Sequence, residues 1–373
     1  MDQVAPLASK AKHVSLLPTG FGDIVGWGDD DHAAAFRAFL IGAPRIAKTL
    51  PKTRGFGIDG AALRDIACAA LQMPRNPDAS AARAFFETHF RPLRIGARGF
   101  VTGYYEPEVE AARERSAKFS VPLYRCPSDL VEVSDRRRPA EWDPEMRFGM
   151  TTADGLAPFY DRAAIEDGAL AGRGLELAWL EDPVDAFFIH VQGSARLRIS
   201  DGGAMRIAFD GKSGNRYISI ARLAVERGIL TREAADKAGL EAWLEGNPEA
   251  GRALMRENRS FIFFRETGQD ETDGPIGAAG VPLSPGRSLA IDRTLHTFHT
   301  PVWVEALDLP DPDRAGEEFR RLMIAQDTGS AIVGPARGDI FYGSGEAAGV
   351  SAGRVRHAAA MIVLAPVGGA AGL

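Results

Sequence analysis

Ala325-Gln326-Asp327-Thr328-Gly329-Ser330-Ala331-Ile332, followed shortly by Arg337-Gly338-Asp339-Ile340-Phe341-Tyr342-Gly343-Ser344-Gly345, is the densest motif in the chain. It sets two carboxylates at strand edges on either side of a turn of small residues. Gly329, Gly334, Gly338, Gly343 and Gly345 let backbone come close to a ligand, and the neighbours of Asp339 are able to desolvate it. Desolvation raises a carboxyl toward the range of a general acid. Spacing alone favours a plainer reading, in which both aspartates cap turns.

Around this motif the chain changes character twice. The first third reads as helices over 33–40, 58–71 and 81–90, with Asp31 capping the first and Pro44, Pro51 and Pro74 punctuating them. From Gly99 the pattern becomes β: short aromatic and β-branched runs over 100–106, 119–124, 185–199 and 205–209, bounded by Gly, Pro and Asp. Helices are expected again over 218–227 and 231–244, the latter with Thr231 and Glu233 near its start. Strands then follow over 261–265, 287–292, 302–307, 320–326 and 339–342, a spacing that suggests a barrel. The Gly/Ala-rich end, 367–373, is expected to fray.

With 373 residues the chain exceeds what one hydrophobic core usually serves, so two domains, or one domain with a large insertion, are expected. A net charge of -6 provides no basic field for nucleic acid or anionic lipid. Cys68 and Cys126 lie far apart without Cys/His ligand spacing, which indicates neither zinc nor a disulfide framework; Cys68, in the apolar run 61–73, reads as core. No stretch is long and apolar enough to span a bilayer, and the opening MDQVAPLASKAK carries no signal-peptide core or lipid-acceptor cysteine.

Four separated motifs, in order, resemble the membrane-bound lytic murein transglycosylase A family with its C-terminal three-aspartate (3D) domain. They are Phe100-Val101-Thr102-Gly103-Tyr104-Tyr105-Glu106-Pro107, Asp182-Pro183-Val184-Asp185-Ala186-Phe187-Phe188-Ile189-His190-Val191-Gln192-Gly193-Ser194, Gly280-Val281-Pro282-Leu283-Ser284-Pro285-Gly286-Arg287-Ser288-Leu289-Ala290-Ile291-Asp292, and the motif quoted first. The likeness runs from about Phe100 to Pro366. It implies a mainly β protein with an α-helical N-terminal part, in which a double-psi β-barrel is interrupted by a second, smaller β domain. Residues 1–106 and 271–373 would form the helical part and the catalytic barrel, and 107–270 the inserted domain, with glycan in the groove between them.

The resemblance also assigns roles. Asp339 is the catalytic residue, with Asp327 supporting it by ordering the loop or by like-charge proximity. Thr102, Tyr104, Asp185, Gln192, Gly193, Ser194, Asp292, Gly329, Ser330 and Ala331 bind substrate. Read as residues, Tyr104 and Tyr105 point to opposite faces of a strand, so one can pack while the other meets a sugar ring. Gln192-Gly193-Ser194 would otherwise pass as a β-turn, Asp185 equally caps a strand, and Asp292 equally pairs with Arg293. His190, His296 and His299 read as surface or packing residues, Met323 and Ile324 as core, and neither metal nor cofactor is needed. Ser330 and Val333 stand where the family commonly has Gly and Lys, so a cationic contact is missing.

A lytic transglycosylase works with one carboxylate because its nucleophile is the C6 hydroxyl of the N-acetylmuramoyl residue being cut, and intramolecularity replaces the second carboxylate of ordinary glycosidases. Peptidoglycan glycan strands are the expected substrate and nucleic acid is not expected to bind. Cell-wall synthesis or division proteins are further expected partners of a monomer in the periplasm, associated with the outer membrane. Two alternatives stay open: an inverting glycan hydrolase using Asp339 with Asp327 or Asp292, and a non-catalytic wall-binding module.

Overall fold

Asp31 accepts a hydrogen bond from Ala34 N (2.9 Å) and opens helix α1 (His32–Lys48), whose alanine-rich sequence favours helix and whose Ala35, Phe36, Phe39, Ala43 and Ile46 form one buried stripe. Asp59 and Asp78 cap α2 (Gly60–Ala70) and α3 (Ala79–His89) in the same way. Pro44 does not punctuate α1 as the sequence suggested; it lies inside it. The missing N–H costs a hydrogen bond, but the stripe on both sides of it is packed, and burial outweighs the local preference. Cys68 is exposed rather than core, because the buried face of α2 is set by Leu63, Ile66, Ala67 and Ala70 and position 68 falls off it.

The computed structural model describes residues 14–144, 146–268, 274–314 and 316–368. The opening MDQVAPLASKAK and the end of the Gly/Ala-rich tail lie outside them. The chain forms two compact units, one comprising the described parts of Met1–Tyr104, Ile276–Gly343 and Arg354–Leu373, the other Tyr105–Pro275 and Ser344–Gly353.

In the first unit the three helices share one hydrophobic core with a sheet of eight strands. These are β1 (Leu16–Pro18), β2 (Phe90–Ile95), β3 (Gly99–Glu106), β4 (Ser288–Ile291), β5 (Pro301–Pro310), β6 (Glu318–Asp327), β7 (Arg337–Ser344) and β8 (Arg356–Pro366). Their order is β1-β2-β8-β5-β6-β4-β7-β3. β8 was not anticipated from sequence, yet it pairs with three strands: Arg356–Ala359 with β3, Ala360–Val363 with β5, and Ile362–Pro366 with β2. Phe36, Phe39, Phe85, Phe86 and Phe90 meet edge to face or tilted at 5.0–6.4 Å, filling the space between helices and sheet.

The second unit mixes strands and helices. Its main sheet runs Ile262–Thr267, Ala204–Lys212, Ser194–Ile199, Glu108–Ala112, Glu176–Leu180, Val121–Tyr124, and a smaller one holds Leu130–Glu132, Phe148–Thr152 and Gly155–Ala157. Residues 185–199, read above as one strand, are instead a helix, Pro183–Gln192, followed by the strand from Ser194. Asp182 caps the helix through Val184 N (2.7 Å), Pro183 occupies its first turn, and Val184, Phe187 and Phe188 recur at helical spacing. Gly193 ends it with φ 80°, so the Gln192-Gly193-Ser194 segment is a helix C-cap and not a β-turn. Similarly, the helix expected from 231 begins only after Asp236, as Lys237–Gly246, and Thr231 caps a preceding turn.

Gly193→Ala tests the C-cap. A Cβ there meets nothing within 4 Å, so the left-handed backbone is its whole cost, and thermal unfolding should show a loss of about 1 kcal/mol. No loss would mean that this backbone conformation is not needed.

Candidate active site

β4 lies between β6 and β7, and Ala290 is in register with Asp327 on one side and Asp339 on the other. Residues paired across strands share a face, so both carboxylates rise from the same side of the sheet with only the Ala290 methyl between them. The arrangement depends on an irregularity. Leu289 pairs with Ala325, and regular pairing would set Gln326 opposite Ala290, but a bulge advances the register by one and brings Asp327 there. Gln326 turns into the interior, where its Oε1 accepts from Ser288 Oγ (2.6 Å) and its Nε2 donates to Ala38 O (2.8 Å).

The two aspartates differ in their hydrogen bonding. Asp327 accepts three bonds: from Ala278 N (2.8 Å) and Thr328 N (2.9 Å) at Oδ1, and from Tyr104 Oη (2.8 Å) at Oδ2. Burial raises its carboxyl above the ordinary value, and these donors limit the rise. Asp339 accepts one, from Thr102 Oγ1 at 2.5 Å on Oδ1, and no described residue donates to its Oδ2. Burial lifts its carboxyl to about 6; Arg337 and the Thr102 hydroxyl oppose the rise, and the Asp327 charge adds to it. Asp327 is therefore built as a held acceptor, and Asp339 as a group with one free oxygen that changes protonation near neutrality.

β3 supplies the partners, because Thr102 and Tyr104 alternate onto one face of it. The Tyr104 ring packs on Phe341 (5.3 Å between centroids), and burial together with Asp327 raises its hydroxyl well above the ordinary range. Thr102, expected to bind substrate, hydrogen-bonds the catalytic candidate itself. Arg337 was quoted with the motif but given no role, although Arg337 and Asp339, two apart on a strand, must share a face. Its Nη2 donates to Thr102 Oγ1 at 2.7 Å. Val333 is 61% exposed.

Asp292 does not pair with Arg293 among the described residues. It is buried, and it orders loops by accepting from Thr294 N (2.9 Å), Thr294 Oγ1 (2.6 Å) and Gly334 N (2.8 Å). Gly329, Ser330 and Ala331 are exposed on the loop between β6 and β7. Asp185, Gln192, Gly193 and Ser194 belong to the second unit. There Gln192 Oε1 accepts from Tyr105 N (3.2 Å), and Tyr105 is buried, with Lys237 5.7 Å from its ring. Burial, helped by Asp182, Glu241 and Glu245 against Lys237, lifts Asp185 to about 6.

Among the described residues no three His, Cys, Asp or Glu side chains converge as metal ligands. His190, His296 and His299 are all buried. Burial lowers the latter two to about 4, so they pack as neutral rings. Met323 and Ile324 are fully buried in the core.

Residues 100–265 match the MltA specific insert domain, and residues 287–365 match the 3D domain. The membrane-bound lytic murein transglycosylase A of Vibrio cholerae is 33% identical over 69% of this chain and 62% of its own length, so the chain spans less than two thirds of that curated relative. Among solved structures, a membrane-bound lytic murein transglycosylase from Agrobacterium tumefaciens is 42% identical, with a TM-score of 0.87 over 94% of this chain and 98% of that one. Escherichia coli MltA with bound chitohexaose is 25% identical, with a TM-score of 0.64 over 95% and 92%. The two domain matches, together with the Agrobacterium likeness over almost the whole of both chains, place this protein in the membrane-bound lytic murein transglycosylase A family.

Proposed function

We propose that this chain is a peptidoglycan lytic transglycosylase that cuts the β-1,4 bond between N-acetylmuramic acid and N-acetylglucosamine and leaves a 1,6-anhydromuramoyl end. The observation that carries the mechanism is the inequality of the two carboxylates: Asp339 has an Oδ2 with no donor among the described residues and a carboxyl raised to about 6, whereas Asp327 is occupied by three donors. Protonated Asp339 gives its proton to the glycosidic oxygen, and the carboxylate then takes the proton of the C6 hydroxyl as that oxygen closes on the anomeric carbon. No second carboxylate is required, and among the described residues the one across β4 from it, Asp327, is held by three donors. This favours the transglycosylase over the inverting hydrolase.

In this reading Asp327 and Tyr104 order the site, and Asp185, Gln192, Gly193, Ser194, Gly329, Ser330 and Ala331 contribute to glycan binding. The E. coli relative's chitohexaose complex supports an oligosaccharide of N-acetylated sugars as the ligand class. The double-psi β-barrel is our reading of the pairings of β3 to β8, with the MltA insert as the second domain. The relatives' name, membrane-bound, supports a periplasmic enzyme associated with the outer membrane, and no described helix is long and apolar enough to cross a membrane.

Mass spectrometry of fragments released from purified sacculi tests the reaction. Anhydro ends are expected; reducing ends that have gained water would establish the hydrolase, and intact sacculi the binding module. The pH profile has a definite sign. Asp339 must begin protonated, so kcat should fall about tenfold per unit as pH rises beyond about 6. A rate still rising between pH 7 and 9 would remove Asp339 as the acid.

A further inference from the structure

A hydroxyl has one proton and two acceptor lone pairs, so a donor on its oxygen decides where its proton goes. Arg337 Nη2 donates to Thr102 Oγ1 (2.7 Å), and the Thr102 proton is directed to Asp339 Oδ1, 2.5 Å away. Arg337 is itself held: its Nη1 donates to Gly338 O, and its guanidinium lies 5.6 Å from the Phe100 ring centroid. We propose that Arg337 is a positioning residue that acts through Thr102, fixing the hydroxyl as a donor to Asp339 Oδ1 and so reserving Oδ2 as the atom that gives and reclaims the proton.

This rests on the transglycosylase reading of Asp339 and adds what selects the reacting oxygen. A guanidinium suits the role because it stays charged at every working pH and its fork fixes direction. Without it the Thr102 hydroxyl is free to rotate, and either carboxyl oxygen can carry the proton. Several other ionisable groups surround this relay. Asp327 approaches from β6, Tyr104 from β3 and Tyr342 from β7, while β8 places Arg356 in register with Thr102. On β4 the residue in register with both aspartates is Ala290, which carries no ionisable group. Arg337 and the Thr102 hydrogen bond both favour ionised Asp339, so loss of either moves its titration upward.

The test compares Arg337→Gln, Thr102→Val, Thr102→Ser and the double variant Arg337→Gln/Thr102→Val on soluble glycan strands, with kcat and KM measured against pH. Arg337→Gln and Thr102→Val should each lose about tenfold in kcat on the low-pH plateau, where Asp339 is protonated in every variant, with KM within about twofold, and each falling limb should move up by roughly one pH unit. Thr102→Ser should keep the wild-type limb, and the double variant should be no slower than Thr102→Val, because Arg337 works through that hydroxyl.

Wild-type kcat and limb in Arg337→Gln would overturn the proposal. So would a rise confined to KM, which would make Arg337 a sugar contact, or additive losses in the double variant. Should Arg337→Gln fail to fold, the near-isosteric Thr102→Val against Thr102→Ser reads the same relay. Failure of the underlying reading is separate: it would appear as cleavage by Asp339→Asn or as water-gaining products, whatever Arg337 does.

Discussion

Asp339→Asn is expected to lower murein cleavage by about 10³-fold or more, because the amide keeps the shape of the carboxyl but cannot donate a proton and then take one back. The Thr102 hydroxyl still finds an oxygen to bond, so the local geometry survives. Stability provides the control. The folded carboxyl titrates near 6 against an ordinary value of 3.8, so its contribution is fully present below about pH 4 and is lost as pH rises through 6. Its ionisation thus burdens the native state above that range, by at most about 3 kcal/mol and, since solvent reaches the partly buried group, more nearly 1–2 kcal/mol. The variant should melt above wild type at pH 8 and with it at pH 4. An inactive variant that melts lower at both would say nothing about catalysis, and an active one would remove Asp339 from its role. Asp327→Asn, assayed in parallel, should lose much less activity if Asp327 orients, and a comparable amount if it is the second carboxylate of a hydrolase.

Arg287→Leu should cost about 3–5 kcal/mol of stability. Arg287 and Asp30 are both buried and joined by two hydrogen bonds, Nη1 to Oδ2 at 2.8 Å and Nη2 to Oδ1 at 3.0 Å. Asp30 also accepts from Leu322 N (3.0 Å), and Arg287 Nη1 donates to Leu322 O (2.9 Å). The pair ties the residue preceding the α1 cap to the start of β4 and the middle of β6. Removing the arginine leaves a charge in the interior with one backbone donor for company. Asp30→Leu combined with Arg287→Leu should recover part of the loss, since no charge is then stranded. Urea unfolding measures both, and a single variant within about 1 kcal/mol of wild type would show that the pair is not needed.

The sequence made some parts of this structure legible and concealed others for identifiable reasons. Asp31 with the alanine run announced α1, and the motifs around Asp327 and Asp339 announced β6 and β7, because caps and alternation are local signals. The helix Pro183–Gln192 is legible in principle: Asp182, Pro183 and Gly193 are its start and stop signals, but its β-branched and aromatic content reads as strand. β8 was legible only in its second half: Met361-Ile362-Val363-Leu364 is the short apolar run of a buried strand, whereas Arg356-His357-Ala358-Ala359-Ala360 has neither a helical nor a strand period and takes strand geometry from its partners. In the site, the family motifs pointed to Asp339 and Thr102, whereas the hydrogen bond between them spans 237 residues of sequence and no local pattern encodes it. The bulge at Gln326 that aligns Asp327 is likewise a property of paired strands and not of one segment.

The triple pairing of β8 also bears on how the protein is made. Gly99–Thr102 of β3 find their β8 partners in Arg356–Ala359, about 250 residues later, a separation that makes closure slow and places it late in synthesis. Until residues 356–366 have been made, β2, β3 and β5 each leave an edge without a neighbour, the condition under which strands pair with other chains. The strand that presents Thr102 to Asp339 is completed in the same event. A growing chain is therefore hard to keep soluble, and the surroundings of Asp339 are complete only with the segment that ends its exposure to misassembly.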